Sequence, residues 1–317
     1  MPDYRHDLLF GGFLTPVAEP PDQAVGLAVA AERAGLDLVA FQDHPYLPQF
    51  LDTWTLMSVV AARTERIRIT GDVLNLPLRP PAVLARSAAS LDRLSGGRIE
   101  LGLGAGGFWD GIEAMGGQRL TPGRAVQALE EAVAILRGIW AADERGGVRV
   151  DGGIHRVAGA KRGPAPAHDI GIWVGAYGPR MLRLVGRLAD GWLPTLSYLP
   201  EGPASLTTMN ALIDEGAAAT GRDPGAIRRV LNLEGRFART GGGLLVGPPE
   251  QWAQELADLA LGEGISGFVL MSDDRAVLER YAHEVAPRTR ELVEAERRGQ
   301  PPCPSGGSQN GGGSSGR

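Results

Sequence analysis

The chain has 317 residues, a formal net charge of −5 and a single cysteine. It lacks the excess of basic residues that is typical of nucleic-acid-binding proteins. It also has no apolar run long enough to span a membrane and no signal-peptide pattern at its start. Cys303 lies in a polar tail and the five histidines show no metal-ligand spacing, so we expect neither a disulfide nor a metal site in the body of the chain. We therefore expect a cytoplasmic protein without nucleic-acid or membrane partners.

Strand-like and helix-like stretches alternate along the chain. The predicted strands lie at 8–13, 37–41, 66–74, 98–103, 172–174, near 192, 227–237 and 265–270. The predicted helices lie at 23–34, 53–63, 81–94, 122–140, 179–188, 205–220, 249–261 and 274–297. Alternation of this kind favours a parallel sheet, and eight strand–helix units are enough to close it into an α/β fold of the (β/α)8 TIM-barrel type.

Two segments interrupt this alternation and predict insertions into the barrel. Residues 108–121 form a Gly-rich connection, and residues 148–157 alternate around a Gly-Gly turn, which indicates a β-hairpin. We assign residues 1–298 to one barrel domain. Residues 299–317 are mostly Pro, Gly, Ser and Asn with nothing to bury, so we expect a disordered tail.

The segment that follows the fifth strand predicts an anion site. Tyr177 and Gly178 form a turn, and a helix then opens with Pro179 and Arg180. The first backbone N–H groups of a helix lack partners inside the helix and the helix dipole is positive there, so a phosphate is favoured at this end. The alternative is an ordinary strand-to-helix turn that carries a surface arginine.

The loops after the second and third strands carry candidate chemistry, because TIM-barrel active sites are built from the loops that follow the strands. Asp43 and His44 place a carboxylate beside an imidazole, a pair suited to acid–base work near neutral pH. The alternative is a solvated loop in which Asp43 caps the next helix. Gly71 in the third strand indicates a bulge or a close approach of the backbone, although a simple strand irregularity is also open.

The loop after the fourth strand is rich in glycine. Gly104, Ala105 and Gly106 would let a ligand lie flat against the backbone. The spacing is not that of a dinucleotide fingerprint, and no mononucleotide-binding half-fold surrounds it. Phe108 and Trp109 follow, and they either pack the barrel mouth or stack on a ring.

Several of these motifs together resemble the bacterial luciferase-like superfamily. They are Leu-Ser-Gly-Gly-Arg at 94–98, which ends the matching segment 79–98, Gly-Leu-Gly-Ala-Gly at 102–106, Gly-Leu-Asp at 35–37, Asp-His at 43–44 and Ala-Asp-Gly-Trp-Leu at 189–193. The resemblance runs from residue 10 to about residue 297. It implies a (β/α)8 barrel, a homodimer and a flavin-type cofactor, either FMN or the deazaflavin coenzyme F-420.

The resemblance to the deazaflavin branch also implies roles for individual residues. Asp43 and His44 match a cofactor-side pair in which the histidine lies close to the reactive ring and serves catalysis. Asp72 and Val73 match a bulge that often contains a non-proline cis peptide against the back face of the ring. The other cofactor-binding residues are Asn75 in the same loop, Gly104, Ala105 and Gly106 beside the ring, and Tyr177, Gly178, Pro179 and Arg180 at the phosphate.

One departure from this branch bears on the reaction. Its sugar-phosphate dehydrogenases carry a glutamate, the proton donor, directly after the fourth-strand glycines, where this chain has Gly107. We therefore expect hydride transfer between coenzyme F-420 and a different small organic substrate, in the direction of a reductase. The alternatives are an FMN-dependent monooxygenase, which uses O₂ and takes reduced flavin from a partner reductase, and a non-catalytic cofactor-binding relative. The pair of Asp43 and His44 argues against the last alternative, since a mere binder has less use for a titrating pair.

Overall fold

In the computed structural model, which describes residues 3–299, strands and helices alternate along the chain. The strands are β1 (Leu9–Leu14), β2 (Leu38–Phe41), β3 (Arg68–Gly71), β4 (Leu74–Asn75), β5 (Ile99–Gly104), β6 (Val148–Asp151), β7 (Arg156–Ala160), β8 (Ile172–Val174), β9 (Gly191–Trp192), β10 (Arg228–Leu233), β11 (Arg236–Phe237), β12 (Val246–Gly247) and β13 (Gly267–Met271). The helices are α1 (Gln23–Ala34), α2 (Thr53–Arg63), α3 (Pro81–Ser95), α4 (Trp109–Ala114), α5 (Pro122–Trp140), α6 (Pro179–Leu188), α7 (Ala204–Ala218), α8 (Pro249–Glu263), α9 (Arg275–Arg280) and α10 (Ala286–Gly299).

Eight of these strands close into a parallel barrel. The order is β3, β2, β1, β13, β10, β9, β8 and β5, and β3 pairs with β5 to complete the ring. β4 continues β3 after a break at residues 72–73 and also pairs with β5. This architecture confirms the predicted (β/α)8 TIM barrel. Because the barrel strands are parallel, the loops that follow them meet at one end, where the active sites of such barrels lie.

Proline and glycine set several ends of the outer helices. α3, α5, α6 and α8 begin with proline, which lacks the N–H that has no partner at a helix start. α1 and α3 end at Gly35 and Gly96, whose φ angles of 92° and 75° glycine adopts without steric penalty. These local signals explain why the predicted helices at 23–34, 122–140 and 179–188 agree with the structure.

The barrel interior is filled by side chains. Leu38, Trp173, Val230 and Val269 pack on one another from four different strands. A larger apolar cluster packs the outer helices against the strands. Since the interior is packed, a ligand has room only at the open end of the barrel, where the strands finish.

Some predicted elements differ in extent from the structure. The predicted strand at 227–237 ends at Leu233, and β11 pairs with β12 outside the barrel. The connection at 108–121 contains the short helix α4, and a π-helical turn at Tyr281–Val285 separates α9 from α10. The hairpin predicted at 148–157 is confirmed as the antiparallel pair β6 and β7.

Four expectations concern the chain as a whole, namely its domain assignment, its tail, membrane spans and metal sites. The assignment of 1–298 to one domain stays a prediction. Gly299 ends α10, whereas the remainder of the predicted tail, 300–317 with Cys303, lies outside the described residues, as do residues 1–2. Within 3–299, no helix is both long and apolar enough to cross a membrane. The same range contains no group of three His, Cys, Asp or Glu side chains that could hold a metal ion.

Candidate active site

A cavity of about 310 Å³ opens at the end of the barrel where the strands finish. The predicted residues that line it are Asp43, His44, Val73, Asn75, Gly104, Ala105, Gly106 and Tyr177. They belong to segments that end or follow β2, β3, β4, β5 and β8. The barrel therefore brings most of the predicted site residues to one place. Asp72 precedes Val73 in the same segment, and Gly178, Pro179 and Arg180 begin α6 directly after Tyr177.

The carboxylate of Asp43 is buried and fully engaged by neighbouring groups. Its Oδ2 accepts hydrogen bonds from the backbone N–H of Asn75 (2.8 Å) and from Nε of Arg79 (2.7 Å), and its Oδ1 accepts one from Nη2 of Arg79 (2.7 Å). Asp52, not Asp43, caps α2 through the backbone N–H of Thr55, so the capping alternative was wrong. These contacts favour Asp43 as the anchor of the loop after β4, rather than as the proton-transfer partner of His44.

His44 lies in the cavity wall with one ring nitrogen engaged. Its Nδ1 is 2.6 Å from the hydroxyl oxygen of Tyr46. The ring meets Phe108 edge to face, with centroids 5.1 Å apart. Among residues 3–299, no group forms a hydrogen bond to Nε2. Burial lowers the pKa of His44 from its usual value, and the charge of Asp43 opposes this. Burial in the cavity wall therefore shifts the ring of His44 towards the neutral form.

The break between β3 and β4 is the predicted bulge. The peptide bond between Asp72 and Val73 is cis, as the resemblance implied. The Val73 side chain fills the space beside β5: a Cβ on Gly104 would lie 2.5 Å from its Cγ2. On the other side, a Cβ on Gly175 would lie 3.2 Å from Cγ1 of Val73. Glycine at 104 is thus required by the close approach of Val73.

Three buried oxygen atoms near the barrel mouth lack hydrogen-bond partners within the described chain. They are Oδ2 of Asp72, Oδ1 of Asn75 and Oδ1 of Asn232. Burial raises the pKa of the Asp72 carboxyl to about 7, and the side chain of Asn232 opposes this rise. Buried polar atoms in native proteins are nearly always paired, so these oxygens indicate a site for a ligand that carries hydrogen-bond donors.

The anion site predicted at the start of α6 stays a prediction, and the structure gives its surroundings. Gly178 caps the helix without a side-chain hydrogen bond. Arg180 is exposed, and no acceptor within residues 3–299 binds its guanidinium. It extends towards the first turn of α5, since a Cβ on Gly123 would lie 3.7 Å from its Nη1. Two helix N-termini and one uncommitted arginine therefore face the same region, an arrangement that favours a phosphate.

Three residues of this region, Tyr46, Arg79 and Asn232, were not expected from the sequence. Tyr46 lines the cavity beside His44, as does Phe108, which was predicted to pack the barrel mouth or stack on a ring, and Arg79 binds Asp43. Asn232 donates from Nδ2 to Oγ1 of Thr195 (3.3 Å). Only Asn232 left a sequence signal, as a polar residue within the otherwise apolar run 230–233. Arg79, 36 positions from Asp43, could be identified only once the barrel was closed.

Comparison with known proteins supports a common family. The profile of the luciferase-like monooxygenase family matches residues 8–240. The F-420-dependent glucose-6-phosphate dehydrogenase of Nocardia farcinica is 33% identical over 225 residues, which are 68% of this chain and 64% of that enzyme. The 5,10-methylenetetrahydromethanopterin reductase of Methanolobus tindarius is 33% identical over 219 residues, 68% of this chain and 62% of that enzyme. The matched regions thus span less than two thirds of these relatives.

Solved structures share the fold at lower sequence identity. An F-420-dependent secondary alcohol dehydrogenase, solved with an F-420–acetone adduct, superposes with a TM-score of 0.78 at 18% identity, covering 90% of this chain and 99% of that chain. The coenzyme F-420-dependent tetrahydromethanopterin reductase of Methanopyrus kandleri gives a TM-score of 0.74 at 18% identity, with coverage of 90% and 100%.

Proposed function

Because the match over residues 8–240 makes the chain a member of the luciferase-like monooxygenase family, we propose that it is an oxidoreductase that transfers hydride between coenzyme F-420 and a small organic substrate. The carrying observation is the cavity at the ends of the barrel strands, which is lined by His44, Val73 and Asn75, since the buried Oδ1 of Asn75 has no hydrogen-bond partner within residues 3–299. The F-420-dependent relatives named above support the choice of this cofactor over FMN.

The residues at the cavity fit such a cofactor. A deazaflavin ring carries amide-type N–H groups. The oxygens of Asp72, Asn75 and Asn232 that lack partners could accept hydrogen bonds from such groups. The Val73 bulge and the glycines at 104–106 offer an apolar surface that would hold a flat ring. Arg180 and the start of α6 would hold the phosphate. When bound, the cofactor supplies a two-electron hydride carrier.

The protein's own contribution to the reaction centres on His44. His44 lines the cavity and its Nε2 has no hydrogen-bond partner within residues 3–299, so Nε2 is the ring atom that can give a hydrogen bond or a proton to an oxygen of the substrate. Asp43, paired with Arg79, fixes the segment that carries His44. We assign the reductase direction, in which a substrate carbonyl or alkene gains hydride at carbon and a proton at the neighbouring atom.

The cavity wall favours an uncharged substrate. Among the described residues, no lysine or arginine side chain lines the cavity, and Arg79, which binds Asp43 of the cavity wall, is committed to Asp43 and Asp52. Three aromatic side chains line it instead, those of Tyr46, Phe108 and Tyr177. A sugar phosphate would find no cation at the cavity wall, and Gly107 replaces the glutamate that such substrates use in the resembling dehydrogenases. We therefore propose a neutral substrate with an apolar or aromatic part.

The proposal is tested by binding followed by turnover. The protein is titrated with coenzyme F-420 and separately with FMN, and fluorescence quenching reports each dissociation constant. The cofactor that binds is then used in a screen of neutral aryl ketones and enones, with glucose 6-phosphate as the charged control. We expect tight binding of F-420 and turnover only with neutral compounds. Preferential binding of FMN, or turnover of glucose 6-phosphate, would contradict the proposal.

We also propose that the protein is a homodimer through the groove between α2 and α3. This groove has a volume of about 600 Å³, and its lining combines apolar residues, among them Trp54, Leu91 and Leu94, with three serines and Arg86. Leu94 is 85% exposed and Val83 62% exposed, so both leave apolar surface open to water. Sedimentation at micromolar concentration should show twice the chain mass of 33.4 kDa. A single species at the monomer mass would refute the dimer.

A further inference from the structure

The hydroxyl of Tyr46 occupies one nitrogen of His44 and leaves the other free. Its oxygen lies 2.6 Å from Nδ1, and within residues 3–299 it has no other hydrogen-bond partner. The two rings are close, with centroids 5.4 Å apart, and Phe108 closes the third side of this aromatic group at 5.1 Å from His44. The ring of His44 is thus held by contacts that leave Nε2 as its open atom.

A tyrosine hydroxyl can serve both protonation states of a histidine. It donates to Nδ1 when the imidazole is neutral, and by rotating its hydrogen it accepts from the Nδ1–H of the imidazolium. Burial, reinforced by the charge of Asp43, raises the pKa of Tyr46, so the phenol keeps its own proton throughout. Tyr46 can therefore hold the histidine without joining the proton transfer.

We propose that Tyr46 is a positioning residue that binds Nδ1 of His44 in both protonation states and so makes Nε2 the ring atom that exchanges a proton with a molecule in the cavity. The inference rests on the proposed function in one respect, namely that the molecule in the cavity is the substrate of a hydride transfer. The pairing of the two side chains is independent of that function.

The charged groups around this pair do not offer Nδ1 another partner. On its own segment, Asp43 is bound by Arg79, which also binds Asp52 (3.0 Å). From α4, Asp110 and Glu113 are paired with Arg119. The hydroxyl of Tyr46 is therefore the polar group at Nδ1, and its removal should change the pKa and the tautomer of His44.

The test combines two variants with one control. Tyr46→Phe removes the hydroxyl and keeps the ring. Gly111→Ala keeps the hydroxyl but displaces the ring, because a Cβ on Gly111 would lie 2.7 Å from Cγ and Cδ2 of Tyr46. Tyr198→Phe is the matched control, since Tyr198 is 67% exposed, packs near Tyr177 and has no contact with His44. Circular dichroism and a thermal melt report whether each variant folds.

The primary measurement is ¹⁵N–¹H NMR of the histidine side chains in the full-length chain without added ligand, as a function of pH. The chain has five histidines, so His44→Gln identifies the His44 signals. A hydrogen bond to a charged group is stronger than one between neutral groups, so the hydroxyl favours the imidazolium. In Tyr46→Phe we expect the pKa of His44 to fall, with a roughly threefold to tenfold weaker proton affinity, and the neutral ring to populate both tautomers. Gly111→Ala should do the same in part, and Tyr198→Phe should not.

The result that overturns the inference is a folded Tyr46→Phe in which the pKa and tautomer of His44 are unchanged, or in which the pKa rises. A second measurement, the pH profile of kcat with the active substrate, should shift its His44 limb to lower pH while the cofactor dissociation constant stays constant. If the proposed reaction is wrong, the NMR changes still occur and only the kcat profile is lost. If the role of Tyr46 is wrong, activity persists and the NMR changes are missing.

Discussion

The guanidinium of Arg79 donates two parallel hydrogen bonds to the carboxylate of Asp43, from Nε to Oδ2 and from Nη2 to Oδ1, each 2.7 Å long. The Asp43 side chain is 0% exposed and that of Arg79 is 17% exposed, so water screens the pair little. The pair ties the loop after β2, which lines the cavity at Asp43 and His44, to the segment that follows β4. It is a support on which the placement of His44 depends.

Removing the cation of this pair should destabilise the protein. In Arg79→Ala the buried Asp43 carboxylate keeps only the Asn75 N–H, so we expect the free energy of unfolding to fall by about 3–5 kcal/mol. Urea unfolding at pH 7 measures it. Arg119→Ala, at an exposed pair with Asp110, is the control and should change the unfolding midpoint little. Equal effects of the two substitutions would argue against a supporting role for Arg79.

The role of His44 is tested by separating turnover from cofactor binding. His44→Ala removes the free Nε2, and we expect kcat to fall by about 10²–10⁴-fold, the usual contribution of a general acid or base. The dissociation constant of the cofactor should change much less. His283→Ala, at an exposed position of the π-helical turn, is the control. A raised dissociation constant with kcat preserved at saturation would instead make His44 a packing residue for the ring.

The anion site at α6 is tested through cofactor affinity. Arg180→Ala should weaken binding of coenzyme F-420 by roughly 1.5–3 kcal/mol, because the phosphate loses a charge-assisted hydrogen bond. Turnover at saturating cofactor should change little. The matched control is Arg187→Ala in the last turn of the same helix, where the arginine pairs with Glu130. If both variants bind with wild-type affinity, the phosphate is held elsewhere.

A cluster at the opposite end of the barrel strands predicts a pH-dependent contribution to stability. Nδ1 of His168 lies 2.8 Å from Oδ1 of Asp92, whose side chain is 0% exposed, and its Nε2 lies 3.6 Å from Glu100. The hydrogen bond to Asp92, and next the nearby carboxylate of Glu100, raise the pKa of His168 to about 9. Because the pKa is raised in the folded protein, the protonated form of His168 stabilises the fold. This stabilisation is complete below pH 6.5, the ordinary pKa of histidine, and it is lost as the pH rises through 9.

His168→Gln should therefore reduce the free energy of unfolding at pH 6 by about 1–2 kcal/mol, after allowance for the partial exposure of the ring. The difference from the unsubstituted protein should shrink between pH 7 and pH 10. Urea unfolding at a series of pH values measures it, with His283→Gln as the reference. A difference that is constant with pH would show that His168 acts by packing alone.

Local sequence patterns predicted much of the fold because the start and end of a helix or strand depend mainly on residues that are close in sequence. Pro122, Pro179 and Gly35 set helix ends through backbone geometry that does not depend on the rest of the chain. The regular alternation of strands and helices predicted the barrel, and the strand-end loops predicted His44, Asn75 and the glycines at 104–106 as neighbours. The residue pattern also carried the resemblance from which the bulge at 72–73 was expected.

What the sequence by itself determined is therefore the order and type of the elements and the loops where chemistry lies. The tertiary structure alone decided which side chains meet there: Arg79 with Asp43, Tyr46 with His44, and Val73 with Gly104. It also decided the electrostatic state of the site, since burial shifts His44 and Asp72 away from their ordinary pKa values. Contacts and desolvation depend on residues far apart in the chain, and barrel closure is what brings those residues together.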